Sequence, residues 1–249
     1  MKFSKLYTFG DSFTMGSGIR EDAIESHYPY GGKYTDYVWS NLLSKDLGID
    51  FTNFGVGGLS NENILQTLIC QMQNFDKDSL IIVGLTAPAR LSGVFNSVEQ
   101  HWTGFTVVPD TYDKYIKSDG ENLSGYHEVL SKEELDSFMQ YYGTLFPKHD
   151  NALWNYYAFN FIQLQNFFLK HNQRFIIWDY TIWDQFETIH SWSKKDLLDL
   201  HWSPNGLKEF SLFLKYCIEV DLPYASFDEL VLWRKGEGSS IVKEYIDYY

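Results

Sequence analysis

Leu6-Tyr7-Thr8-Phe9-Gly10-Asp11-Ser12 places a short apolar segment directly before a Gly-Asp-Ser step. Phe3, Leu6, Tyr7 and Phe9 read as a strand, and the step puts a small hydroxyl at the strand's C-terminal edge. Ligands bind at that edge in open parallel α/β sheets. Far downstream, His201 stands in Asp199-Leu200-His201-Trp202-Ser203-Pro204, just before the last strong helical pattern. A serine and a histidine at two element boundaries can form a nucleophile–base pair.

The elements between them point to the fold class. Val38, Trp39, Leu42, Leu43 and Leu47 recur at helical spacing, with Gly48 as a C-terminal stop. A short strand follows over 49–54. Ser60 can cap a helix whose apolar face is Ile64, Leu65, Leu68, Ile69 and Met72. Leu80-Ile81-Ile82-Val83-Gly84-Leu85 is a continuous apolar run, as expected of a central parallel strand. Strand, helix, strand, helix, strand in that order predicts a doubly wound α/β sheet. Regularity then breaks over about 92–150, apart from 133–142, and this stretch reads as an insertion covering the sheet's edge. A helix over 154–169 and a strand at Phe175-Ile176-Ile177-Trp178 resume the pattern. Ser203 as N-cap and Pro204 at the first helical position open the last clear helix, striped by Leu207, Phe210, Leu214, Cys217 and Ile218. The expected organisation is one domain over 1–220, insertion included, with 221–249 as a peripheral tail.

The 249 residues fit one large α/β domain. Basic residues number 20 against 33 acidic ones, a formal charge of −13. Such a surface repels nucleic-acid phosphates and anionic lipid, so neither is an expected partner. Cys70 and Cys217 both fall within apolar helical stripes and read as buried thiols, not as a disulfide or a metal site. His27, His101, His127, His149, His171 and His190 show no paired metal spacing. No run approaches the roughly 18 apolar residues of a membrane span, and residues 1–6 carry Lys2, Ser4 and Lys5 where a leader would be apolar. The expectation is a soluble, cytoplasmic protein. Its many aromatics fill core and insertion, although Trp102, Tyr112 or Tyr126 could stack on a sugar ring if exposed.

Three blocks occur in order at the ends of successive predicted elements. They are Thr8-Phe9-Gly10-Asp11-Ser12-Phe13-Thr14, Asn53-Phe54-Gly55-Val56-Gly57-Gly58-Leu59-Ser60-Asn61, and the run from Asp199 to Gly206. Together they resemble the GDSL/SGNH hydrolase family. The resemblance implies a three-layer α/β/α fold of flavodoxin-like type and no cofactor. It also implies that Ser12 is the nucleophile and one backbone oxyanion donor, Gly58 the second backbone donor, and His201 the base. Two positions depart from the family pattern. The family's own third block, which falls before its last, is usually Gly-x-Asn-Asp with the Asn as oxyanion donor and runs here as Gly84-Leu85-Thr86-Ala87-Pro88-Ala89-Arg90. Either Thr86 donates instead, or the hole has two donors. The Thr-x-Pro-x-Arg run resembles a divergent branch of bacterial and phage genomes. The last block, usually Asp-x-x-His, has Leu198 where the acid belongs. Asp199 lies two residues before His201 and would share its face in an extended segment, while Asp196 lies five before.

The chemistry of this set is coherent. A neutral serine is a poor nucleophile and needs an imidazole to take its proton, with a carboxylate to hold the ring. The expected function is an esterase acting on a small O-acyl ester, such as an O-acetylated carbohydrate. Acyl transfer to a sugar hydroxyl and non-catalytic glycan binding are the alternatives, and the residues admit other readings. Asp11-Ser12 is also common turn chemistry. Gly55-Val56-Gly57 could belong to a dinucleotide loop with Asp76 as its ribose acid, although Ser60 stands where that fingerprint has glycine. Arg90 reads as an ion-pair partner or as a contact to an acidic substrate.

Overall fold

A computed structural model describes residues 3–16, 38–87, 91–94, 104–107, 133, 136–137, 139–140, 163–168, 170–171, 173–188 and 201–236. Its strands are β1 (Lys5–Phe9), β2 (Asp50–Asn53), β3 (Ser79–Leu85), β4 (Leu91–Val94), β5 (Gly104–Val107), β6 (Arg174–Asp179) and β7 (Tyr224–Ala225). Its helices are α1 (Ser12–Met15), α2 (Trp39–Leu47), α3 (Asn61–Gln71), α4 (Pro204–Glu219) and α5 (Phe227–Lys235), with a further helical stretch at 163–168. Five strands form one parallel sheet in the order β2-β1-β3-β6-β7, and β4 pairs with β5 as an antiparallel ladder.

Successive side chains of a strand face opposite sides of the sheet. Leu6, Leu80, Ile82, Ile176 and Trp178 face one side, in a core with Trp39 and Leu43 of α2 and with Phe210, Phe213 and Leu214 of α4. Tyr7, Phe9, Ile81, Val83, Phe175 and Ile177 face the other, in a core with Ile64 and Leu68 of α3 and with Leu164 and Phe168. The architecture is therefore α/β/α. Connection direction explains the two faces. The chain steps one way across the sheet from β1 to β2, then back past β1 to β3. Right-handed crossovers in opposite directions put α2 and α3 on opposite sides. The order reverses between β1 and β3, and in open α/β sheets ligands bind beyond the C-terminal ends of the strands at such a switch point.

Local signals act where the sequence puts them. Gly48 ends α2 in the left-handed conformation (φ 64°), and Ser203 caps α4 by accepting the Gly206 N–H at 3.2 Å. Ser60 holds the N-cap position of α3, but its hydroxyl makes no cap bond.

The structure corrects several expectations. Residues 221–249 are not merely peripheral: β7 extends the sheet, the Ile177 N–H donates to the Pro223 carbonyl at 2.9 Å, and Leu230 of α5 is fully buried. Residues 237–249 lie outside the described residues. Ile69 and Cys70 face solvent, with Ile69 64% exposed. The buried face of α3 runs through Asn61, Ile64 and Leu68, and at about 100° per residue Cys70 falls nearly opposite Leu68. Cys217 is buried as expected, and that burial raises its thiol pKa. Within the stretch read as irregular, β4 and β5 form their ladder, and residues 133, 136–137 and 139–140 are helical. The remainder of 92–150 lies outside the described residues, as do residues 154–162 of the helix expected over 154–169.

Candidate active site

α1 is a single turn, too short to persist on its own hydrogen bonds. Its neighbours supply what it lacks. Asp11 is the N-cap, its Oδ1 accepting the Phe13 N–H at 3.0 Å, and Gly16 closes the other end at φ 82°. The last carbonyls of a helix have no partner within it. Here Trp39 Nε1 donates to the Phe13 carbonyl at 3.2 Å, and Asn53 Nδ2 donates to that of Thr14 at 2.8 Å. Ser12 is thus held just beyond the C-terminal end of β1, and it is buried. A Cβ on Gly10 would lie 2.0 Å from Thr14 Oγ1, so only glycine lets α1 fold back this closely on β1.

The second block is hooked onto the same junction. Asn53 Oδ1 accepts the Thr8 hydroxyl at 3.1 Å and the Gly55 N–H at 2.8 Å, while the Val56 N–H donates to the Gly10 carbonyl at 3.1 Å. Gly58 sits in this loop at φ 78°, exposed, and a Cβ there would meet nothing within 4 Å. The backbone conformation calls for glycine, and the open space leaves room for a ligand.

Thr86, just past β3, is buried. Its hydroxyl donates to Asp11 Oδ2 at 2.9 Å, its N–H donates to Asn61 Oδ1 at 2.8 Å, and its carbonyl accepts from Asn61 Nδ2 at 2.9 Å. A hydroxyl has one proton to give. In this structure Thr86 gives it to Asp11, not to the third-donor position that its place in the family's third block suggests. It ties the exit of β3 to the cap of the helix that carries Ser12. Sequence reasoning gives Asn61 no role. An Asn at a helix start reads as local chemistry, and nothing beside it announces a partner 25 residues away. Thr86→Val keeps the shape and removes the proton that Asp11 accepts. Hydrogen bonds to charged groups are worth roughly 1.5–3 kcal/mol. The melting temperature should therefore drop by about 3–12 °C, with Thr86→Ser close to wild type. Equal melting temperatures for all three proteins would show that the bond adds no stability.

His201 lies two residues before the cap of α4, and its ring centroid is 4.9 Å from that of Phe13, the neighbour of Ser12. The segment that carries it is pinned. Trp202 Nε1 donates to the Trp183 carbonyl at 2.7 Å, the Ser203 N–H to the Glu187 carbonyl at 2.8 Å, and the Ser203 hydroxyl to Glu187 Oε1 at 3.0 Å. Thr86 thus meets Asp11 and His201 meets Phe13, the two neighbours of Ser12, while the loop that carries Gly58 is joined to Gly10 through Val56. Asp199, Asp196 and Leu198 lie outside the described residues, as do Arg90, Trp102, Tyr112 and Tyr126. Asp76 precedes β3, at the opposite end of the sheet from the Gly55–Gly57 loop, so the dinucleotide reading loses its acid. Hydroxyls of Ser4 and Ser79 donate to Asp76, and these bonds, that of Ser4 foremost, hold its carboxyl below the usual pKa. Among the described residues, no group of three or more His, Cys, Asp or Glu could hold a metal ion, and no helix is long and apolar enough to cross a membrane.

A parallel α/β sheet with a Gly-Asp-Ser turn at its switch point has the layout of a serine ester hydrolase. The family model described as GDSL-like Lipase/Acylhydrolase matches residues 6–212. The chain belongs to this family and is a serine ester hydrolase. Among solved structures, it is similar to a member of the lipolytic protein G-D-S-L family from Veillonella parvula DSM 2008. The identity is 13%, covering 89% of this chain and 76% of that one, with a TM-score of 0.35. A putative lipolytic protein of the G-D-S-L family from Desulfitobacterium hafniense DCB-2 is 15% identical over 90% of this chain and 77% of that one, with a TM-score of 0.32. No curated protein matches the sequence. Family membership rests on the sequence match.

Proposed function

We propose that this hydrolase cleaves small O-acyl esters through an acyl-enzyme on Ser12, with His201 as the base and Asp199 as the carboxylate that holds the imidazole. The observation that supports this most is the contact of the His201 ring with Phe13, which brings the last block to the residue beside the nucleophile. Ser12 Oγ attacks the ester carbonyl carbon while its proton passes to His201. The oxyanion that forms is held by the N–H groups of Ser12 and Gly58, a two-donor hole. Collapse of the intermediate expels the alcohol, which takes the proton from His201. Water then attacks the acyl carbon, giving a proton to His201; the bond to Ser12 Oγ breaks, Oγ takes that proton back, and the acid leaves. An O-acetylated carbohydrate is the favoured substrate class. Acyl transfer would share the first half of this cycle and replace water by a sugar hydroxyl. The catalytic unit is a single domain in which residues of about 92–150 are an insertion after the third sheet strand.

The test is turnover of p-nitrophenyl acetate by the purified protein, together with peptide mapping of a fluorophosphonate adduct. For the oxyanion hole, Gly58→Val should lower kcat by about 10²-fold, because a β-branched residue cannot keep φ at 78° and the N–H swings away. A wild-type kcat in Gly58→Val would remove Gly58 from the hole.

A further inference from the structure

We infer that Phe13 and Trp183 form an aromatic seat that turns the His201 imidazole toward Ser12 and holds the charge the ring acquires on taking the serine's proton. The inference rests on the roles proposed above for Ser12 and His201. The Phe13 ring lies 4.5 Å from Trp183 at 16°, 4.9 Å from His201 at 38° and 5.0 Å from Trp202 at 64°, all between centroids. Phe13 cannot drift, because it is buried, its N–H is on Asp11 and its carbonyl is on Trp39. Trp183 is held through its own carbonyl by Trp202 Nε1. The contacts that fix the nucleophile helix and the base's segment therefore also fix the ring between them.

Two consequences follow from this packing. An imidazole packed on an immobile ring loses much of its freedom to rotate, so its two nitrogens keep their directions. The face of an aromatic ring also attracts a cation within about 6 Å of its centroid, an effect equivalent to roughly 2- to 30-fold in rate. The imidazolium forms as the serine's proton arrives, so this attraction favours the transition state of that step and raises kcat. The motif that names the family has leucine after its serine, and this protein has Phe13 there. Leucine would fill similar space without the ring's charge distribution. Phe13 and Trp183 are positioning residues, and Trp183 acts through Phe13.

The test compares Phe13→Leu, Trp183→Leu, Trp183→Phe and His201→Ala with the wild-type protein on p-nitrophenyl acetate. Phe13→Leu should lose about tenfold in kcat with KM within about twofold. Trp183→Leu should lose less, and Trp183→Phe, which restores a ring, should recover most of that loss. Apart from turnover, the imidazole C–H signals of His201 in NMR spectra of the full-length protein should move downfield in Phe13→Leu, as the ring current above them is removed. Unmoved His201 signals would overturn the seat. So would wild-type kcat in both leucine variants while His201→Ala is inactive, and that result leaves the base intact. A fully active His201→Ala would instead overturn the base itself. If circular dichroism shows Phe13→Leu unfolded, the Trp183 pair decides the question through the same kcat and NMR readings.

Discussion

Ser12→Ala should abolish turnover of p-nitrophenyl acetate, with kcat falling on the order of 10⁴–10⁶-fold, the scale seen when a catalytic nucleophile or its base is removed. Labelling by a fluorophosphonate should vanish with it, since that reaction requires both a nucleophilic serine and an oxyanion hole. In the wild-type protein the adduct should map to Ser12 alone. Ser60 and Ser203 are the instructive controls, because both stand at helix N-caps as a reactive serine could. The Ser203 hydroxyl is engaged with Glu187 and the Gly206 N–H. An adduct on either control, or on no serine, would overturn the assignment. Alanine leaves the Asp11 cap and the carbonyl bonds of α1 in place, so the variant should melt close to wild type.

Asp199→Asn should lower kcat by about 10³–10⁴-fold, and Asp196→Asn far less. A carboxylate beside Nδ1 keeps the imidazole in the tautomer that presents Nε2 to the nucleophile and stabilises the imidazolium during attack. Asparagine keeps the size and removes the charge, so it isolates that electrostatic part. Asp199 is two residues from His201 in the sequence, whereas Asp196 reaches the ring only if the backbone folds back. The aromatic seat reinforces the comparison: with Phe13 against the ring, the charged group belongs at its edge, where the nitrogens are. Circular dichroism checks that both variants are folded. The reverse order of losses would move the role to Asp196. Wild-type rates in both would mean a Ser–His dyad oriented by another group.

Much of the fold is legible in the sequence because it is written in local patterns. The apolar runs of β1, β3 and β6 are buried on both faces of a parallel sheet, which makes them continuous and easy to read. Gly48 and Pro204 act through their own backbone, and Ser203 through its own hydroxyl. β7 is different: two residues, Tyr224 and Ala225, carry no period, and only their pairing with Ile177 and Trp178 makes them a strand. Apolar content alone puts Ile69 and Cys70 with Leu68, which makes the expected face of α3 too wide. In the site, Ser12, Gly58 and His201 stand out through block order. The clamp of Asp11, Thr86 and Asn61 does not, because its bonds span 25 and 75 residues and leave no local trace. Phe13 and Trp183 read as core for the same reason.

The position of β7 governs how the protein must be made. β1, β2 and β3 are complete once residue 85 has been synthesised, whereas among the described residues the outer edge of β6 pairs with β7, whose Tyr224 lies 45 residues beyond Asp179. Until β7 is made, Ile177 and Trp178 lack that pairing, and an open apolar strand edge is the kind of surface that pairs with other chains. The net negative charge, −13 over the full chain, opposes association between copies at such an edge. Two residues made late, Tyr224 and Ala225, cover Ile177 and Trp178 at that edge.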